Sequence, residues 1–240
     1  FTKYLTEQKI IFGMGNLGHG YKLISSLFFL NSTFYLPFLE YFTFHFSLLF
    51  FLIFFNYILL SEIFSNKSHE VIRFICIFAL AFFNLSFNRI AEYGTDKAGQ
   101  LLIVVLIIKI LQHICYDNNK FKLNSVLILL PLLAFCMSLK TYFLPYILLG
   151  GTIVFLDTRI SKSIKTICYS RSFLITSISL TIYFFHHFIS TGCFISPLSI
   201  TCLGDNLEWA SSSIEYKNLA IWLEQWAKAG AGPGFRVENP

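Results

Sequence analysis

Residues 42–64 read FTFHFSLLFFLIFFNYILLSEIF, with a single acid, Glu62, near the end. A helix built from this run is long enough to cross a hydrocarbon core of about 30 Å, at about 1.5 Å of rise per residue. Five further apolar stretches follow, at 71–87, 98–115, 123–139, 141–156 and 173–190. Several are shorter than the roughly 20 residues a comfortable crossing takes, which implies helices that rest on protein or thin the bilayer locally. Composition agrees: 55% of the residues are hydrophobic, 13% are charged and Phe occurs 29 times. A water-soluble domain of this size has no means of hiding so much apolar surface. The fold expected is all-α, a polytopic transmembrane helix bundle ending in an outer loop and helix tail.

The loops supply an orientation. Lys67 and Arg73, then Lys120 and Lys122, then Arg159, Lys162, Lys165 and Arg171 fall in alternate loops, whereas the intervening loops hold only Arg89 with Lys97, and Lys140. Positive charge collects on the cytoplasmic side, so the tail after Ser190 is expected outside. The net charge of +5 is then an anchoring signal rather than a nucleic-acid patch, because the cations are scattered among apolar helices. Three segments are expected: 1–22 as an outer loop at the end of an upstream part, 23–190 as the bundle with one interfacial or re-entrant helix over 21–36, and 191–240 as an outer tail. The chain reads as an internal piece of a longer protein.

Gly13, Gly15 and Gly18 carry the glycine spacing of a dinucleotide fingerprint. That motif works within a βαβ unit of about 30 residues, and here an apolar span follows with no room for a second strand. No nucleotide is therefore expected. Cys76, Cys115, Cys136 and Cys168 read as small apolar fillers or reduced thiols. Cys193 and Cys202 differ because they lie in the segment expected outside, where a disulfide can persist; two unpaired thiols are the alternative. No Cys/His metal spacing is present, and the adjacent His186 and His187 project about 100° apart on a helix, which suits packing better than one metal.

Polar residues concentrate between the second and third stretches, where Arg89, Glu92, Asp96, Lys97 and Gln100 occur close together. Ionisable groups gathered at a membrane face are costly and often functional; a solvated loop with a local ion pair is the plainer reading. Lys140 stands alone between two apolar stretches. It reads either as an anchor that snorkels to the interface or as a point charge for a phosphate. The tail holds all three Trp residues, and 207–229 has helical periodicity through Trp209, Ile214, Leu219, Trp222, Leu223 and Trp226.

The stretch Gly15-Asn16-Leu17-Gly18-His19-Gly20-Tyr21, followed by Ser25-Ser26 and Asn31, resembles the region after the first outer loop of the GT-C class of polytopic glycosyltransferases. Together with residues 88–100, Ser138-Leu139-Lys140-Thr141 and the two outer cysteines, the chain resembles uncharacterised bacterial membrane proteins related to that class. The resemblance implies a bacterial inner membrane, a polyprenyl-phosphate-linked sugar as donor, and transfer at the outer face, and it leaves room for a divalent metal. On this reading Asn16 and His19 are candidates for contacting sugar, the cations Arg89, Lys97 and Lys140 for meeting the lipid phosphate, and Glu92, Asp96 and Gln100 for binding substrate beside them. The class uses an acidic base in its first outer loop. No Asp precedes Asp96 and Glu7 is the sole acid in residues 1–22, so that base is expected upstream of Phe1. Two rival functions remain: a transporter or lipid-carrier flippase, which Pro131 and Pro145 favour as helix breaks, and a non-catalytic assembly protein.

Overall fold

The computed structural model describes residues 2–66, 68–86, 96–116, 127–155, 160–203 and 206–229. Among these the chain is all-α: its only β pairing is two isolated bridges, Leu36 with Glu40 and Cys193 with Cys202. The helices in order are α1 (Thr2–Glu7), α2 (His19–Lys22), α3 (Ser26–Thr33), α4 (Phe46–Ile63), α5 (Glu70–Leu85), α6 (Asp96–Tyr116), α7 (Leu129–Leu139), α8 (Ile147–Phe155), α9 (Ile160–Cys168), α10 (Arg171–Thr191) and α11 (Ser213–Ala229). Short 3-10 turns cover Met14–Leu17, Tyr41–His45, Thr141–Tyr146 and Ser199–Thr201. The chain divides into two compact units within α10: one joins Lys3–Ile24 to Ile182–Pro240, and the other holds Ser25–Thr181.

The Ser25–Thr181 unit is organised around α6. Ala98, Leu101, Leu102, Ile103, Val105, Leu106, Ile108 and Ile110 are buried, a pattern that runs round the helix and marks it as a central element. Against it α5 turns a stripe of Ile72, Cys76, Ala79 and Phe83, and α4 contributes Leu48, Leu52, Phe55 and Leu59. The opposite faces are also apolar. Phe50, Ile53, Phe54 and Tyr57 on α4 and Phe74, Phe78 and Phe82 on α5 are exposed, far more than a water-facing surface carries in one patch. Helix starts have identifiable caps: the Ser25 hydroxyl accepts from the Leu27 N–H at 3.2 Å, and His69 Nδ1 accepts from the Val71 N–H at 3.3 Å. Asn31 and Ser47, both buried, hydrogen-bond to each other between α3 and α4, so neither polar group is left unsatisfied.

Among the described residues, three helices are long and apolar enough to cross a membrane: Phe42–Ile63, Asp96–Cys115 and Arg171–Thr191. The other expected stretches form shorter helices. At 16 residues α5 spans about 24 Å. The expected helix at 123–139 is α-helical from Leu129 to Leu139, with residues 123–126 outside the described residues. The expected helix at 141–156 opens as the 3-10 turn Thr141–Tyr146 and becomes α-helical only at Ile147. Local chemistry explains the break. Lys140 is extended (φ −162°, ψ 143°), and Pro145 lacks the N–H that a continuous helix would need. The α8 helix then folds back on α7, where Gly150 meets Leu133 and Leu130. Likewise the helix expected over 21–36 is two pieces, α2 and α3, separated by the non-helical Leu23 (φ −112°, ψ 76°).

In the other unit the core is small: Cys193, Tyr216 and Leu219, packed by Leu23, Cys202, Trp222 and Leu223. A disulfide joins Cys193 to Cys202, nine residues on, and closes a loop that the Phe194 N–H to Thr201 carbonyl bond (3.2 Å) and the Leu203 N–H to Gly192 carbonyl bond (2.9 Å) also pin. A cross-link over so short a loop contributes about 2–3 kcal/mol on chain-entropy grounds. The tail helix begins at Ser213 rather than 207. Ser212 with Glu215 makes the first half of a capping box, the Ser212 hydroxyl accepting from the Glu215 N–H at 3.3 Å.

Candidate functional site

The residues singled out above fall into two sets, one in each unit. The first lies at the start of α6. Asp96 occupies the first helical turn, where a carboxylate is favoured by the unpaired N–H groups and the helix dipole. Lys140, 44 residues further on, donates to Asp96 Oδ1 at 2.5 Å. The contact depends on a neighbouring fit. Gly99, one turn along α6 from Asp96, lies against Phe143, one turn along from Lys140, and a Cβ at Gly99 would overlap the Phe143 ring. With Phe143 fully buried there, the 3-10 turn is held close against α6 and Lys140 is carried to Asp96.

Around this pair the surroundings are aromatic. The Lys140 ammonium sits 5.3 Å from the centre of the Tyr142 ring, a cation–π distance. Lys97, on the adjacent position, reaches the Ser86 hydroxyl at 3.4 Å and lies 5.4 and 5.6 Å from the rings of Phe82 and Phe83. Gln100 is half-buried and shares the face of Asp96 one turn on. Arg89 and Glu92 lie outside the described residues. A second ion pair sits farther along α6, where Lys109 approaches Glu62 of α4 at 3.7 Å.

The second set is in the disulfide-bonded unit. Asn16 donates from Nδ2 to the Trp209 carbonyl at 2.9 Å and accepts from the Ser211 hydroxyl. Its amide is thus a clasp on the tail. His19 opens α2, and its side chain lies outside what the structure describes. Lys22 pairs with Glu215 at 2.6 Å and stands 5.6 Å over the Tyr216 ring. Two glycines of the fingerprint-like stretch, Gly13 and Gly15, have a packing role. Gly13 takes a left-handed conformation (φ 71°) and donates to the Ile189 carbonyl at 3.0 Å, and a side chain there would overlap the Trp209 carbonyl. A Cβ on Gly15 would come within 3.0 Å of the Ser190 carbonyl.

His187 is buried, packed edge-on to Tyr183 with ring centres 4.7 Å apart, and Nε2 lies 3.3 Å from the Ile24 carbonyl. Among the described residues no group of three or more His, Cys, Asp or Glu is arranged to hold a metal ion. The residues that reading the chain did not single out are Phe143 and Tyr142, together with Gly99 as a contact point. Their signal was a shared period: a glycine three after Asp96 and an aromatic three after Lys140.

These observations define an all-α protein with three membrane-length helices and a cation–carboxylate cluster at one end of its central helix. A family match extends over residues 1–230, and the chain belongs to the family described as a domain of unknown function, DUF8201. No curated protein and no solved structure matches it.

Proposed function

We propose that this chain is part of a polytopic protein of a bacterial inner membrane and works as a GT-C-like glycosyltransferase, taking sugar from a polyprenyl-phosphate donor at the outer face. The observation that carries the reading is the gathering of Lys140, Asp96 and Lys97 at the start of α6. Two cations at the end of an apolar, membrane-length helix suit a phosphate that enters from the bilayer on a lipid tail. They would stabilise the charge that grows on the phosphate as the glycosidic bond breaks. In the resting state Asp96 holds Lys140 in place, and a phosphate would compete for the same ammonium. The disulfide supports an outer location for the tail, because such bonds persist in oxidising compartments.

The test is sugar incorporation by the full-length protein in membranes, using a panel of polyprenyl-phosphate-linked donors. Wild-type transfer that falls at least about a hundredfold in Lys140→Gln and Lys97→Gln, at normal expression, is the expected result for lost transition-state charge contacts. Absence of transfer with every donor would remove the reading. A transporter or flippase then moves ahead, favoured by Lys109, which lies six residues inside the end of the Asp96–Cys115 span and pairs with Glu62 next to the end of the Phe42–Ile63 span.

A further inference from the structure

We infer that α9 is an interfacial helix that binds anionic phospholipid headgroups. The inference rests on the reading of α10 as a membrane span and adds a ligand-binding surface to it. Within α9, Ile160, Ile164 and Ile167 recur at helical spacing, while positions 162 and 165, both Lys, come round on the other side. The apolar stripe is only partly covered by protein. Ile167 is 9% exposed, but Ile164 is 48% exposed and Tyr169, just past the helix, is 91% exposed. Cys168 is exposed as well.

Two observations select lipid as the occupant. The first is continuity: α9 leads through Tyr169 and Ser170 directly into α10, whose opening turns expose Phe173, Leu174, Ile175 and Ile178. The exposed Ile164 and Tyr169 therefore lead, in sequence, into the exposed apolar surface of a membrane-length helix. A tyrosine at such a junction is typical of the headgroup level. The second is charge. Arg159, Lys162, Lys165 and Arg171 occur within a short stretch, and no Asp or Glu stands between Asp157 and Asp205. A basic helix with an apolar edge, in a stretch whose sequence holds no acid from 158 to 204, lies in the interface, with its lysine stems in the boundary and its ammonium groups at anionic phosphates.

The experiment uses the whole chain reconstituted in phosphatidylcholine vesicles containing phosphatidylglycerol. In a Cys115→Ser background an environment-sensitive fluorophore is placed on Cys168, and quenching by spin-labelled phosphatidylglycerol is compared with quenching by spin-labelled phosphatidylcholine at equal mole fraction. The anionic quencher is expected to act a few-fold to roughly tenfold more strongly, and Lys162→Gln with Lys165→Gln is expected to equalise the two. Equal quenching with the lysines intact overturns the inference. So does no quenching by either lipid, the result expected if a protein neighbour covers this face. A second label, at Ile178→Cys in a Cys168→Ser background, tests the span itself. If neither chain-labelled lipid quenches it, the span reading and this inference fall together; if it is quenched while Cys168 shows no headgroup preference, only α9 is misread.

Discussion

The Ser25–Thr181 unit and the disulfide-bonded unit are held together by different means. The first buries a broad apolar core around α6 and leaves its outward faces of α4 and α5 apolar too. The second has, among the described residues, a small cluster of Cys193, Tyr216 and Leu219, and adds a disulfide, the Asn16 clasp and the Lys22–Glu215 pair. The difference teaches how a unit with little apolar core makes up for it. A small core in water needs staples, because the area it removes from solvent barely offsets the entropy of ordering the chain. A helix bundle in lipid gains little from hiding apolar surface and depends on close packing, small residues and satisfied polar groups.

All three Trp residues, 209, 222 and 226, belong to the disulfide-bonded unit. Intrinsic fluorescence therefore follows that unit, while far-UV circular dichroism is dominated by the longer helices of the other. The largest effect is expected for Phe143→Ala, which empties the buried site against Gly99. Large-to-small changes of this kind cost about 3–5 kcal/mol in water-soluble cores. The helical transition in detergent should drop by many degrees while the Trp emission of the folded protein keeps its wavelength. A Trp shift of the same size would mean that the two units do not separate energetically.

Cys193→Ser should produce the reverse pattern. Losing the cross-link is expected to cost about 2–3 kcal/mol, seen as an early red shift of Trp emission with the helical transition nearly unchanged. Reduction of the wild type should reproduce it. Gly13→Ala comes next, because the new side chain meets the Trp209 carbonyl at a left-handed backbone position. A cost of about 1–2 kcal/mol is expected, again in the Trp-reported transition. A silent Gly13→Ala would show that the close approach at Trp209 carries no weight.

Much of this was legible in the sequence, and the remainder failed for a common reason. The helical class follows from apolar runs, which are local, and Phe42–Ile63 and Asp96–Cys115 stand within a few residues of the runs that announce them. Breaks were harder. Pro145 was visible, but that residues 141–146 would form a 3-10 turn depends on Lys140 adopting an extended backbone to reach Asp96. Trp209 continues the apolar period ahead of α11, whereas Ser212 and Glu215 cap the helix later. Among candidate site residues, type and clustering picked out Asp96, Lys97 and Lys140, yet the Asp96–Lys140 pairing spans 44 positions and has no local signature. Asn16 shows the same limit, since its partners at 209 and 211 are nearly the whole chain away.

The smallest effect on stability, and the sharpest on function, is expected at the Asp96–Lys140 pair. Both side chains are partly exposed, at 47% and 35%, and such pairs contribute about 0–1 kcal/mol. Exchanging them, Asp96→Lys with Lys140→Asp, keeps an opposite-charge contact but places the cation on the first turn of α6, where the helix dipole opposes it. The helical transition should therefore fall only slightly, by up to about 1 kcal/mol in stability. If the pair is a staple alone, the exchanged protein retains whatever transfer the wild type shows, and single changes at either position are rescued by the other. If Lys140 meets the phosphate, the exchange leaves a folded protein with transfer reduced as far as in Lys140→Gln, because the charge has moved while the lipid phosphate has not. Stability then falls slightly while transfer falls severely in one double substitution, and that difference in size separates a packing contact from a residue that handles substrate.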